Sequence, residues 1–178
     1  MTAMKRYILS LFTILAAMAA ISSCSTSKTD EERVLEYRVD SLAHVKADRA
    51  LQHKHFVIMA ERISLGRMGH MYNNPRRETN FVYVVDNDGV VQLAFDNGRI
   101  GLNGLGGITV RGSVSKPRYK VDKKGNISYS YTIFGTGANA EVDIRLFAGS
   151  DDAQAYITSP YHSERMVIYG KVQPYNGN

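Results

Sequence analysis

The stretch ISYSYTI, residues Ile127–Ile133, alternates large apolar or aromatic side chains with small hydroxyl-bearing ones. A period of two is typical of a β-strand that buries one face and exposes the other. The segment just before it, Asp122–Asn126 (DKKGN), has the glycine and the polar residues of a tight hairpin turn. Together the two segments predict an antiparallel hairpin, and therefore a fold built from sheet.

The same alternation recurs along most of the chain after residue 53. Turn-prone polar segments separate the alternating stretches, and no helical pattern lies between them, which argues against a parallel nucleotide-binding sheet. We predict a mainly β (α+β) fold, with an N-terminal helix followed by a curved antiparallel sheet, sandwich or partly open barrel of about nine strands. The other predicted strands are Phe56–Ala60, Asn80–Val85, Val91–Phe95, Ile108–Val114, Tyr119–Val121, Val142–Leu146, Ala153–Ile157 and Met166–Tyr169.

The first residues have the pattern of a bacterial lipoprotein signal. Lys5 and Arg6 form a short positive segment, and the uncharged run Tyr7–Ile21 follows it. The run has the length of a secretory signal and is short for a membrane-spanning helix. An aliphatic residue, two small residues and a cysteine end the segment. We therefore expect cleavage between Ser23 and Cys24, and a diacylglyceryl group on the Cys24 thiol.

This cysteine also sets expectations for location. Cys24 is the only cysteine of the chain, so no disulfide and no cysteine-based metal site are expected. We predict a signal peptide over residues 1–23 and a lipidated, flexible tether over residues 24–30. The mature protein would be held by its lipid at the outer membrane, on the periplasmic or the surface-exposed side.

A segment between the tether and the sheet has helical periodicity. Leu35, Val39, Leu42 and Val45 recur at spacings of four and three. The pattern predicts an amphipathic helix that either packs on a sheet edge or serves as a stalk between the lipid and the β-domain. The predicted segments are the helix over 31–52, the β-domain over 53–174 and a tail over 175–178.

Composition and charge narrow the class of protein. The chain has 178 residues, of which 44% are hydrophobic and 22% charged, the balance of an ordinary globular domain. These proportions exclude wholesale disorder, several membrane spans and a disulfide scaffold. The net charge of +5 becomes +3 when Lys5 and Arg6 leave with the signal peptide. This excess is small and scattered, so we expect no nucleic-acid partner.

One segment of the sequence is a candidate binding site. Residues 66–79 are expected to form a long loop that carries Arg67, His70, Arg76 and Arg77. Such a cationic loop can bind a carboxylate, sulfate or phosphate, although a charge run of this kind is more often a solvated surface. No pattern indicates catalytic residues, a cofactor or metal ligands.

Tyrosines offer a second way to bind a ligand. Several of them could line a groove for a sugar or a hydrophobic molecule. The alternative is that Tyr129 and Tyr131 are simply the inward-facing residues of their strand. The tyrosines considered are Tyr129, Tyr131, Tyr156, Tyr161 and Tyr169.

Four stretches of the chain are similar to a known family. They are an opening aromatic-aliphatic strand, a glycine-rich link, a lysine-rich hairpin and a closing Tyr-Gly strand. In these stretches the chain resembles a family of small Bacteroidales lipoproteins carrying a domain of unknown function, numbered four-two-five-one. The resemblance covers roughly residues 50–173 and implies an exported lipoprotein of unassigned activity, with no functional residues to transfer. The stretches are Phe56–Ala60, Gly98–Val110, Lys120–Gly125 and Tyr169–Val172.

These observations favour a non-enzymatic binding module anchored in the cell envelope. Its partner would be the membrane, through the lipid on Cys24, together with an envelope protein or a small apolar or glycan ligand. One alternative is an envelope hydrolase that uses an Asp/Glu pair, with Glu141, Asp143 and Glu164 as candidates. The other is a purely structural component of the envelope.

Overall fold

The computed structural model describes residues 29–65, 70–73, 75–94, 107–160 and 162–177. The predicted signal peptide, its cleavage site at Ser23 and Cys24, and most of the tether lie outside the described residues. The chain divides into two compact units, residues 1–35 and residues 36–178. The first contributes the start of a helix to the described part, and the second contains the whole sheet.

The predicted helix is present as α1, Asp30–His53. Its start is fixed by a capping box, in which the Glu32 N–H donates to Thr29 Oγ1 at 3.3 Å and the Thr29 N–H donates to Glu32 Oε2 at 2.8 Å. Acidic residues fill the first turn, where the helix dipole favours negative charge. Among the described residues, no helix is both long and apolar enough to cross a membrane.

The last turns of α1 bury a different face from the predicted one. Ala47 and Leu51 are fully buried in the core of the second unit, whereas Val39 and Leu42 are more than half exposed. The predicted stripe therefore does not pack on the sheet. Two small alanines, Ala47 and Ala50, allow the helix to approach the sheet closely, and this small-residue face carries no strong hydrophobic signal in the sequence.

Nine antiparallel strands follow the helix, which confirms the predicted fold class. A short 3-10 helix, Arg77–Thr79, lies between the second and third strands. The strands are β1 (His55–Leu65), β2 (His70–Asn73), β3 (Phe81–Val85), β4 (Asp88–Leu93), β5 (Ile108–Val121), β6 (Ile127–Gly135), β7 (Asn139–Leu146), β8 (Asp152–Ser159) and β9 (His162–Pro174).

The sheet closes on itself through its first and last strands. β1 pairs with β9 from Phe56 to Leu65 on one side. On the other side its first half pairs with β3 and its second half with β2. The result is a closed barrel in which β1 and β3–β9 form the ring. The predicted curved antiparallel sheet is thus present and takes the form of a closed barrel, and the sequence left this form open because the closing pairing joins the first and last strands and has no local signal.

Two strands differ from the predicted set. Tyr119–Val121 does not form a separate strand, because β5 continues through it past a bulge between Ser115 and Arg118. β2 was not predicted, because its sequence HMYN has no clear alternation of apolar and polar residues. The predicted total of about nine is met with a different division of the chain.

The interior of the barrel is apolar and aromatic. The ring of Phe56 meets the rings of Tyr129 and Tyr131 edge-on, with centroids 5.8 and 6.3 Å apart. Strands β5 and β6 approach so closely at Gly112 that a Cβ there would lie 2.0 Å from the Phe134 carbonyl oxygen. Only glycine fits at this position.

The end of α1 lies at one end of the barrel. His44 Nδ1 lies 2.9 Å from the Ser150 carbonyl oxygen in the β7–β8 turn, and the Tyr119 hydroxyl of β5 donates to Asp48 Oδ1 at 2.7 Å. We call this the helix end of the barrel. The predicted tail is tied to the same end, because the Tyr175 N–H donates to the His55 carbonyl at 3.0 Å.

Candidate functional site

A groove lies on the outer wall of the barrel, away from the helix end. Its volume is about 400 Å³, which is in the range of small-ligand sites. Strands β5, β6, β7 and β8 contribute outward-facing side chains, and the start of the β8–β9 turn closes one edge. The lining residues are Lys116, Thr132, Phe134, Asn139, Glu141, Thr158, Ser159 and Pro160.

Strand register places the polar side chains of the groove in one row. Thr132 of β6 lies opposite Ser115 of β5 on one side and opposite Glu141 of β7 on the other. Glu141 in turn lies opposite Thr158 of β8. Because cross-strand partners share a face of the sheet, Thr132, Glu141 and Thr158 present their side chains side by side.

An aromatic ring lies at the next row towards the turn. Phe134 lies opposite Asn139 and is 47% exposed, while its neighbour Ile133 is fully buried. The outward-facing positions of β6 carry hydroxyl groups up to Thr132, and the next outward position, Phe134, carries a phenyl ring. An exposed ring of this kind offers an apolar surface to a ligand, and the neighbouring polar groups can orient that ligand.

A strained residue forms the β5 side of the groove. Lys116 has a φ of 54°, in the left-handed region that non-glycine residues seldom adopt. It lies in the bulge where the β5–β6 register shifts, and Pro117 follows it. A bulge of this kind changes the direction of a side chain, and here the lysine lines the groove.

The groove combines opposite charges with hydrogen-bonding groups. Lys116 and Glu141 are both exposed, and neither forms an ion pair with another residue of the described ranges. The buried Ser159 hydroxyl donates to the Asn139 carbonyl at 2.9 Å. This hydrogen bond joins the end of β8 to the start of β7 at the edge of the groove. This arrangement can donate to and accept from a polar ligand while the phenyl ring covers an apolar face.

The predicted cationic site is not assembled at this groove. Arg67 lies outside the described residues, and only the backbone of His70, in β2, is described. Arg76 is exposed, and Arg77 pairs with Glu61 at 3.2 Å. The expectation of one long loop over residues 66–79 was wrong, because β2 and the 3-10 helix lie within it.

The structure separates four of the five predicted tyrosines instead of gathering them into a groove, and Tyr161 lies outside the described residues. Tyr129 and Tyr131 are buried inside the barrel, and their hydroxyls have no hydrogen-bond partner among the described residues. Burial raises the pKa of both phenols, that of Tyr131 well above its ordinary value. Tyr156 faces outward, with the Arg165 guanidinium over its ring. The guanidinium carbon of Arg62 lies 5.0 Å from the centre of the Tyr169 ring.

The three acidic residues that were candidates for a hydrolase lie on two strands, β7 and β9. Glu141 and Asp143 are exposed on the same outer face of β7, two residues apart. Glu164 lies in β9, and its side chain is outside the described set. Within the described ranges, no three His, Cys, Asp or Glu side chains are grouped so that they could hold a metal ion.

Most groove residues were missed from the sequence. Phe134 and Asn139 belong to no motif, and cross-strand register cannot be read from one segment. One signal was available and was not used: Phe134 continues the polar phase of ISYSYTI, a pattern that puts an aromatic side chain at a solvent-facing position.

Comparison with known proteins identifies the family. The family profile named "Domain of unknown function (DUF4251)" matches residues 39–172. The crystal structure of a DUF4251 family protein from Bacteroides eggerthii DSM 20697 is similar, with a TM-score of 0.68 and 34% sequence identity. That similarity covers 78% of this chain and 91% of the other. No curated protein matches the chain. The resemblance to the Bacteroidales family is thus confirmed, and the chain belongs to the DUF4251 family.

Proposed function

We propose that the protein is a lipid-anchored envelope module that binds a small saccharide in the groove on the outer wall of its barrel. The observation that carries this proposal is the exposed ring of Phe134 beside a row of hydroxyl, amide and carboxylate groups. No catalytic step is required of any residue.

The chemistry of a sugar matches this combination of groups. A pyranose has an apolar C–H face that can stack on an aromatic ring, and its hydroxyls both donate and accept hydrogen bonds. Glu141 can accept from such hydroxyls, Lys116 can donate to them, and Thr132 and Thr158 can do either. A purely apolar ligand would leave these polar groups without partners, at a cost in binding free energy.

The membrane anchor rests on the amino-terminal sequence. A positive segment, an apolar run and a small-small-cysteine ending occur in register, which supports lipidation at Cys24 and cleavage between Ser23 and Cys24. Two or three acyl chains at about 0.8 kcal/mol per buried CH₂ anchor a protein stably. The proposed location is the outer membrane, with the barrel on the periplasmic or the surface-exposed side.

Saccharide binding is tested by titrating mono- and disaccharides into the soluble chain and into its Phe134→Ala variant, with calorimetry as the readout. We expect at least tenfold weaker binding in the variant, or about 1.4 kcal/mol. Met59→Ala is the matched control, because Met59 is 40% exposed on another strand and lies outside the groove. Binding by neither protein, or equal loss in both variants, would contradict the proposal. Cleavage of the sugar would instead indicate the hydrolase.

The anchor is tested separately by expressing the full chain and its Cys24→Ala variant in a Bacteroidales host. We expect the natural chain in the outer-membrane fraction with the mass of a diacylglyceryl modification. The variant should lose both properties. A Cys24→Ala chain that stays in the outer-membrane fraction would refute lipid anchoring at this residue.

A further inference from the structure

We propose that the ligand is a linear acidic oligosaccharide, which extends from the groove along the outer face of β6 towards the helix end of the barrel. This inference rests on the proposed function and adds the length, direction and charge of the saccharide.

The outer face of β6 forms the floor of this extended surface. Ser128, Ser130 and Thr132 are its outward residues, and Phe134 ends the series. Ser128 and Phe134 are six residue steps apart along the strand, which corresponds to about 20 Å. Three consecutive outward positions with small hydroxyl side chains therefore lead directly out of the groove, over a length greater than one sugar ring needs.

Longer side chains border this floor on both sides. On the β5 side, Arg118 lies opposite Ser130 and Lys120 lies opposite Ser128. On the β7 side, the same two serines face Asp143 and Arg145. All four bordering residues are exposed. Small residues between rows of long ones make a shallow trough, and serine hydroxyls at its base can hydrogen-bond to a chain lying in it.

Charge changes along the trough. In the groove, Lys116 and Glu141 balance each other. Beyond it, three cations border the two serines together with the carboxylate of Asp143, and Ser128 lies between Lys120 and Arg145 in one cross-strand row. The Asp122 carboxylate of the adjoining β5–β6 turn also interacts with Arg145, so cations exceed carboxylates here by three to two. Carboxylate or sulfate groups on the ligand would be attracted to this part of the trough and would have no such attraction in the groove.

A peptide fits this surface less well than a saccharide. Extended peptides usually bind by adding a strand to a free sheet edge. The β6 strand has no free edge, since it is paired with β5 and β7 along its length. Recognition must therefore come from side chains on a face of the sheet, which suits a chain of hydroxyl and acidic groups.

The experiment measures binding of galacturonic acid oligomers of two, four and six units to the soluble chain by calorimetry. We expect affinity to rise at least tenfold from the dimer to the hexamer. We expect 0.5 M NaCl to remove most of this gain, because salt screens exposed charges. The Ser130→Tyr variant, which fills the trough floor, should bind the dimer normally and lose the gain. A Lys120→Gln, Arg145→Gln double variant should lose it too.

Ser64→Tyr is the matched control, because Ser64 is an outward position of β1, across the barrel from β6. The Ser64→Tyr variant should keep the full gain in affinity from the dimer to the hexamer.

Equal affinity for dimer and hexamer, or an unchanged gain in Ser130→Tyr, would overturn the inference while leaving the groove proposal intact. Binding of neutral disaccharides that depends on Phe134, without any binding of galacturonates, would also overturn the inference and leave the groove proposal intact. Polyglutamate binding with the same gain and the same loss in the variants would overturn the saccharide class. Absence of binding by any saccharide would overturn the proposed function itself.

Discussion

The two faces of β6 differ in what fixes their residues. On the inner face, Tyr129, Tyr131 and Ile133 are buried in the core of the barrel. On the outer face, Ser130 and Thr132 contact solvent and lead to the exposed ring of Phe134. Packing determines the inner set, whereas nothing in the fold requires an aromatic residue at the end of the outer set. The comparison teaches that the side of the strand not needed for folding is the place to look for function.

The sharpest test of this comparison uses two neighbouring residues. Ile133→Ala removes a fully buried side chain and should lower the free energy of unfolding by about 2–5 kcal/mol. Phe134→Ala should lower it by no more than about 1 kcal/mol, because half of the ring already faces solvent. Urea denaturation followed by circular dichroism measures both. Similar losses of unfolding free energy in the two variants would show that both faces of β6 contribute to stability, which contradicts the comparison.

A smaller effect is expected from the inner tyrosines. The Tyr131 hydroxyl is buried and has no partner among the described residues, so it is desolvated without compensation. Tyr131→Phe removes that hydroxyl and keeps the ring. We expect unchanged stability or a gain of up to about 1 kcal/mol in urea denaturation. A loss of more than 1 kcal/mol would reveal a partner for the hydroxyl inside the barrel, and the inner face would then have a polar role.

The smallest effect concerns the turn that joins β5 to β6. The Asp122 carboxylate accepts hydrogen bonds from the Asn126 side chain at 2.8 Å and from the Asn126 and Lys124 backbone N–H groups. These bonds, that of the Asn126 side chain first, lower the pKa of Asp122 below its ordinary value.

A lowered pKa in the folded state gives this stabilisation a defined pH window. It is complete above the unfolded value of about 3.9 and is lost as the pH falls through the folded value. We expect the difference in melting temperature between the natural chain and Asp122→Asn to be constant from pH 7 to pH 5 and to shrink below pH 4. A difference that does not depend on pH would contradict this account of the turn.

The sequence allowed the fold to be predicted further than the site. ISYSYTI and DKKGN form β6 and its turn as predicted, because alternation and turn chemistry are local properties. Closure of the barrel depends on pairing between β1 and β9, about a hundred residues apart, and no local pattern encodes it. The groove depends on the same kind of information, since the β5 bulge and the register of β6 with β7 bring Lys116, Thr132 and Glu141 together.

The basic cluster and the apolar stripe of the helix were both predicted from local patterns, and contacts with distant residues gave them a different role. The basic residues around Arg76 and Arg77 stood out as a charge cluster, yet Arg77 is paired with Glu61, which lies 16 residues earlier in the chain. The apolar stripe with Val39 and Leu42 stood out by its size, yet the helix buries two alanines and Leu51 instead. In both cases the local pattern was real, and a distant contact decided its role.

The most direct measurement is a map of backbone amide chemical shifts during titration with the galacturonate hexamer. We predict shifts that follow the outer wall from Phe134 and Glu141 to Ser128, with signals of β1 unchanged. Shifts centred on Arg76 and Arg77, or spread through the interior around Tyr131, would contradict the claim that the outer face of β6 is the binding surface.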